Sequence, residues 1–199
     1  MTTDGVVPRI LCLHGYHGSG AILRRQLLDL ASALPDPVEL VFTDAPALAR
    51  GDFGWWHEGF AGWEGSRDAV LSQLRIGGFD GVFGFSQGAA MTGLLSAVQQ
   101  TDEPSQLFEF AIMVGGFTSP LSQHARLFQA PISLPSLHIV GRSDVIVPPR
   151  DSADLASRFA QPEVIEHSSG HVIPSSAHIA RQVGDFLRRH AVARTEPTR

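Results

Sequence analysis

The sequence predicts an α/β fold, a three-layer sandwich in which helices cover both faces of a mostly parallel sheet of about six strands. Three observations predict it. Short apolar runs alternate with longer amphipathic stretches along the chain, the pattern of a sheet wrapped by helices. Several of these runs are apolar at successive positions rather than every second one, as in strands buried on both sides. The 199 residues, 43% hydrophobic and 18% charged, have an ordinary globular composition and suffice for one domain that buries roughly 70% of its unfolded surface. We read a single domain over 1–199, with its core from about 8 to 191 and a frayed tail over 193–199.

Taken in order, the strands are expected at Arg9–Leu13, Val38–Phe42, Gly81–Phe85, Phe110–Val114, Ser136–Val140 and Glu163–Glu166. Helices are expected at Gly20–Ala33, Ser66–Ile76, Gln87–Gln100, Arg150–Phe159 and Ser175–His190. In the first helix Ile22, Leu23, Leu27, Leu30 and Leu34 fall on one face. The expected strand order is 2-1-3-4-5-6, which puts a topological switch between strands 1 and 3. Two stretches break the alternation. Ala45 to Gly65 is rich in glycine and aromatics and too long for an ordinary connection, which suggests a functional loop. Thr118 to Pro135 reads as an irregular excursion with one helical turn.

Composition excludes several function classes. The formal net charge is −5 and no block of Lys or Arg forms a basic stripe, so no nucleic-acid partner is expected. None of the nine His residues forms a compact ligand pair with Cys or carboxylates, so neither metal nor cofactor is expected. The lone Cys12 rules out an internal disulfide and suits a reducing compartment. Met1 to Pro8 does not read as a signal peptide, and no apolar run approaches the roughly 20 residues of a membrane helix. A soluble cytoplasmic protein that does not engage membranes is expected. Its oligomeric state is not legible.

The strongest motif is Gly84-Phe85-Ser86-Gln87-Gly88. It follows the apolar Val82-Phe83 and opens a helix-forming stretch, the strand–turn–helix setting of a nucleophile elbow. The glycines let strand and helix approach while Ser86 is held in strained backbone. A serine nucleophile needs a base and an orienting acid. The best acid is Asp144, just beyond the apolar run Leu137–Val140, where open parallel sheets place their sites. Asp151 and Asp154 come later, on a helix, and read as first-turn charges. The best base is His171, in a loop between the last strand and the last helix. His167 sits at a strand end, and His178 and His190 lie within the final helix.

An oxyanion hole needs two backbone donors. One is expected from Gln87, the residue after the serine. The other is expected from Tyr16, in the glycine-rich loop after the first strand. That loop matches neither the P-loop nor the dinucleotide pattern. His14 reads as a brace for it, and Cys12 as a small buried hydrophobe. The cluster Phe53, Trp55, Trp56, Phe60 and Trp63 reads either as cover for a sheet edge or as the wall of an apolar acyl pocket.

These residues together resemble the FSH-type serine hydrolases of the α/β-hydrolase superfamily. The resemblance is carried by Leu11–Gly15 with Ser19-Gly20, Asp44-Ala45-Pro46, Trp55-Trp56, Gly84–Gly88, Gly141–Asp144 with Val147-Pro148, and Gly170-His171 with Pro174. It implies a triad of Ser86, Asp144 and His171. It also implies esterase or thioesterase activity on small acyl substrates, including acyl chains bound to carrier proteins. The residues themselves leave open an amidase or peptidase on the same triad, and a non-catalytic binder of hydrolase fold.

Overall fold

The computed structural model describes residues 7–48 and 52–191. Six parallel strands form one sheet: β1 (Arg9–Leu13), β2 (Glu39–Thr43), β3 (Gly81–Phe85), β4 (Phe110–Val114), β5 (Ser136–Gly141) and β6 (Pro162–His167). Their spatial order is β2-β1-β3-β4-β5-β6, the order expected from the sequence. Strands β1 and β3 pair in register from Ile10↔Gly81 to Leu13↔Gly84, so the chain reverses direction of build between them.

Alternation along the strands sorts side chains into two cores. Leu11, Leu13, Val82, Ala111 and Met113 point to one face. There they meet α2 (Trp63–Gly77) and α3 (Gln87–Thr101) through Leu71, Leu74, Leu94 and Leu95. Ile10, Cys12, Phe83, Phe85, Ile112 and Ile139 point to the other face. They meet α1 (Gly20–Ala33) and α5 (Ala177–His190) through Leu23, Leu27, Val183 and Phe186. Period-two strands under helices on both sides explain why the apolar runs are continuous. Helix α4 (Pro149–Ser157) seals the α3 side with Leu155. Hydroxyl caps start two helices: Ser19 Oγ accepts from Ile22 N, and Ser176 Oγ from Ile179 N.

Arg9–Leu13, Gly20–Ala33, Gly81–Phe85 and Phe110–Val114 have the bounds expected; the other elements move by one to three residues at one or both ends, and α2 shows why. It begins at Trp63 rather than Ser66. Gly62, in left-handed backbone at φ 90, turns the chain into the helix, and burial of the Trp63 side chain extends the helix by a turn. The segment 118–135 holds a seven-residue 3-10 stretch, Ser122–Phe128, rather than one turn. The tail over 193–199 lies outside the described residues. No helix among them is long and apolar enough to cross a membrane.

Two buried titratable groups sit in these cores. Cys12 is fully buried, and burial pushes its thiol far above the usual range, so it stays protonated. His138 on β5 packs its ring against Phe159 at 5.1 Å, and burial lowers its pKa from 6.5 to about 4. Between those values the unfolded chain binds the proton and the folded one does not, so stability falls as pH drops through that window. The loss expected from His138 is about 3 kcal/mol between pH 7 and 4. Urea unfolding at both pH values should show a smaller drop for His138→Gln than for the wild type. An equal drop would assign the acid sensitivity to other groups.

Candidate active site

Strand β3 ends at Phe85 and α3 begins at Gln87, so Ser86 alone makes the turn. Its backbone is at φ 57, ψ −118, a conformation that costs a non-glycine residue about 1–3 kcal/mol. The surroundings fix it. Ser86 N donates to Val114 O at 2.9 Å, and Ser86 O accepts from Ala89 N and Ala90 N. The flanking glycines are a packing requirement. A Cβ on Gly84 would stand 2.2 Å from Gly88 O, and one on Gly88 would stand 2.2 Å from Leu13 O.

Asp144 occupies a turn after β5, closed by its own N–H donating to Gly141 O at 3.1 Å. The carboxylate is buried, and each oxygen has defined partners. Oδ1 accepts from the backbone N–H groups of Ile146 and Val147, both at 2.9 Å. Oδ2 lies 2.6 Å from His171 Nδ1. Two backbone bonds lash this turn to the loop carrying the histidine: Arg142 N to His167 O and Ser143 N to Ser169 O. The imidazole in turn packs against the Ser86 turn. Its ring lies 4.8 Å from that of Phe85, and it covers Gly115, where a Cβ would come within 3.0 Å of its Cε1. Gly115 follows Val114, whose carbonyl holds the Ser86 N–H. The three side chains chosen from the sequence therefore share one end of the sheet, brought from β3, β5 and the loop after β6.

The loop after β1 faces them. A turn closed by Gly18 N donating to Gly15 O at 3.0 Å carries Tyr16 and His17, the latter at φ 54. Gly15 lies so near the serine that its Cβ would be 3.2 Å from that of Ser86. Gln87, as the first residue of α3, has a backbone N–H with no carbonyl ahead of it in the helix. His14 fixes the loop from beneath. Its Nε2 accepts from Ala45 N at 3.0 Å, so its Nδ1 carries the proton and donates to Gly15 O at 2.7 Å. Burial lowers its pKa, which keeps it neutral in that role.

A cavity of about 630 Å³ opens at Ser86. Ser86, Gln87 and Tyr16 line it together with Phe60, Phe117 and Val147. Of the aromatic cluster, Phe60 reaches this cavity; the three tryptophans lie behind the wall, all buried. Trp55 donates its indole N–H to His14 O at 2.7 Å. Trp56 stacks on Phe60 with 4.5 Å between ring centroids, and Trp63 meets Trp56 edge-on at 6.2 Å. The backbone of Asp52–Phe53 forms a two-residue hairpin with Ala47–Leu48.

Sequence reasoning missed two parts of the site. The Gln87 side chain is a latch, its Oε1 accepting from Trp55 N and its Nε2 donating to Trp56 O, both at 2.9 Å. Phe117 is a second wall, and the Gly115-Gly116 pair at the end of β4 was its available signal. Among the described residues no three His, Cys, Asp or Glu side chains cluster closely enough to hold a metal ion.

Comparison with known proteins adds the following. Residues 1–183 match the family described as Serine hydrolase (FSH1). Esterase OVCA2 of Danio rerio is 35% identical over 219 residues, covering 91% of this chain and 96% of the relative. Esterase CG5412 of Drosophila melanogaster is 33% identical, covering 90% of this chain and 73% of the relative. Zea mays acyl-protein thioesterase 2 superposes with a TM-score of 0.68 at 18% identity, over 95% of this chain and 96% of that one; this likeness is one of fold.

Proposed function

Because the chain belongs to the FSH1 family of serine hydrolases, we propose that Ser86 is its nucleophile and that it cleaves carboxylic esters or thioesters of acyl substrates. The observation that carries this reading is the 2.6 Å contact between Asp144 Oδ2 and His171 Nδ1, on an imidazole packed against the strained Ser86 turn. The names of the relatives, both esterases, support the choice of bond.

In this reading His171 Nε2 takes the proton of Ser86 Oγ as that oxygen bonds to the substrate carbonyl carbon. The Tyr16 and Gln87 N–H groups receive the resulting oxyanion. Asp144 holds the Nδ1–H tautomer and stabilises the imidazolium, its second oxygen being anchored by Ile146 and Val147. The tetrahedral adduct collapses, and His171 returns the proton to the departing alcohol or thiol. Water, deprotonated by His171, then releases the acid and restores Ser86. Phe60 and Phe117 offer apolar surface to the acyl group, which arrives as a small ester or thioester or on a carrier protein.

Labelling with a fluorophosphonate tests the reading directly. The expected adduct is on the peptide that contains Ser86, and it is absent from Ser86→Ala. A folded wild-type protein that stays unlabelled would falsify the assignment.

A further inference from the structure

Among the described residues three non-glycines adopt a positive φ: His17, Ser86 and Phe60. The first two belong to the turns already described. Phe60, at φ 63, has the largest side chain of the three, and a bulky side chain in this region is an outlier. Strain of this kind persists where the surroundings over-determine it. Here they do. Phe60 N donates to His57 O and His57 N to Ala61 O, each at 2.9 Å. The ring lies flat on Trp56, with 8° between planes, and meets His124 nearly at a right angle at 5.4 Å.

What the ring separates explains the arrangement. Its free rim lines the cavity at Ser86. Behind it stand His124 and Trp63, and both line a second hollow of about 170 Å³ between α2 and the 3-10 segment. His124 Nδ1 bonds Ser119 Oγ at 2.7 Å, whereas its Nε2 is buried without a hydrogen-bond partner among the described residues. The aromatic layer of Phe60, His124 and Trp63 is thus a wall with space on both sides.

We propose that Phe60 is the specificity-determining residue of the acyl pocket, a partition that ends the pocket for apolar acyl chains in front of the His124 and Trp63 rings. The proposal rests on Ser86 being the acylated nucleophile. Each methylene buried before the wall should raise kcat/KM by about fourfold. Beyond the wall a further methylene stays in water and adds nothing, so the length at which the gain stops reports the position of the Phe60 ring.

The test is kcat/KM for p-nitrophenyl esters from acetate to dodecanoate, for the wild type, Phe60→Ala and Phe60→Trp. Removing the ring should move the break to longer chains and raise the dodecanoate-to-butyrate ratio by about tenfold or more. The larger indole should move the break the other way, so either variant alone decides the matter if the other folds poorly. Profiles that fall in parallel, with the break unmoved, overturn the partition and leave Phe60 a packing residue. A wild-type protein neither active nor labelled overturns the reading of Ser86 and this proposal with it. A labelled, active protein with parallel profiles overturns the partition alone.

Discussion

Ser86→Ala is expected to lower kcat on a p-nitrophenyl ester by about 10^5- to 10^6-fold, and Asp144→Asn by about 10^4-fold, as for other triads. The two losses have different origins. Without Ser86 Oγ no covalent intermediate forms, and what survives is the oxyanion site acting on water. With asparagine at 144 the nucleophile remains, but the side chain is anchored as the carboxylate was, and an amide NH2 can turn toward His171 Nδ1. The imidazole then carries its proton on the wrong nitrogen. Burst kinetics separate the two, since the asparagine variant should still acylate slowly and the alanine variant should not acylate at all. The double variant should be no worse than Ser86→Ala, because residues acting as a unit are not additive. Wild-type-like rates in either single variant would remove that residue from the mechanism.

Gly88→Ala is expected to destabilise the fold by about 4 kcal/mol or more, far above an ordinary substitution. The new methyl would stand 2.2 Å from Leu13 O and 2.6 Å from His14 O. Both are backbone atoms of β1 and the loop after it, which cannot swing aside as a flexible side chain would. Helix α3 would have to lift off the sheet along a stretch buried from Gln87 to Gln99. Gly65→Ala is the control. It lies on the exposed side of α2 with nothing within 4 Å of its Cβ position, and alanine there should add about 0.5–1 kcal/mol. Denaturant midpoints of the two variants should move in opposite directions. Equal midpoints would show that the close approach at Gly88 is not needed.

The sheet was legible because burial on both faces writes continuous apolar runs such as Leu137–Val140, and their shortness and flanking turn residues favour strands over buried helices. Ser86, Asp144 and His171 could be chosen because parallel strands deliver their following residues to one edge. What lay beyond reading was any role set by a contact between distant loops. Nothing in the spelling of Gln87 says that its amide spans to Trp55 and Trp56. The tryptophans could be seen as a cluster, but which ring meets solvent depends on the turn at Gly59–Gly62, and that turn places Phe60 in the cavity wall. Trp63 falls in the stretch expected as a loop, whereas its packing against Trp56 draws it into the first turn of α2.

The amide of Gln87 has a consequence for how such a protein can change. Its backbone opens the helix behind the serine, and its side chain fastens the segment that begins the aromatic wall. If Gln87 N–H receives the oxyanion as proposed, the part that shapes the pocket and the part that meets the reacting carbonyl are one mechanical piece. A loop grafted over 54–63 from another protein inherits this fastening only if it presents an N–H and a carbonyl where Trp55 and Trp56 present theirs. Substrate range and catalytic rate are then expected to drift together, and a variant library confined to that loop should be scored for both.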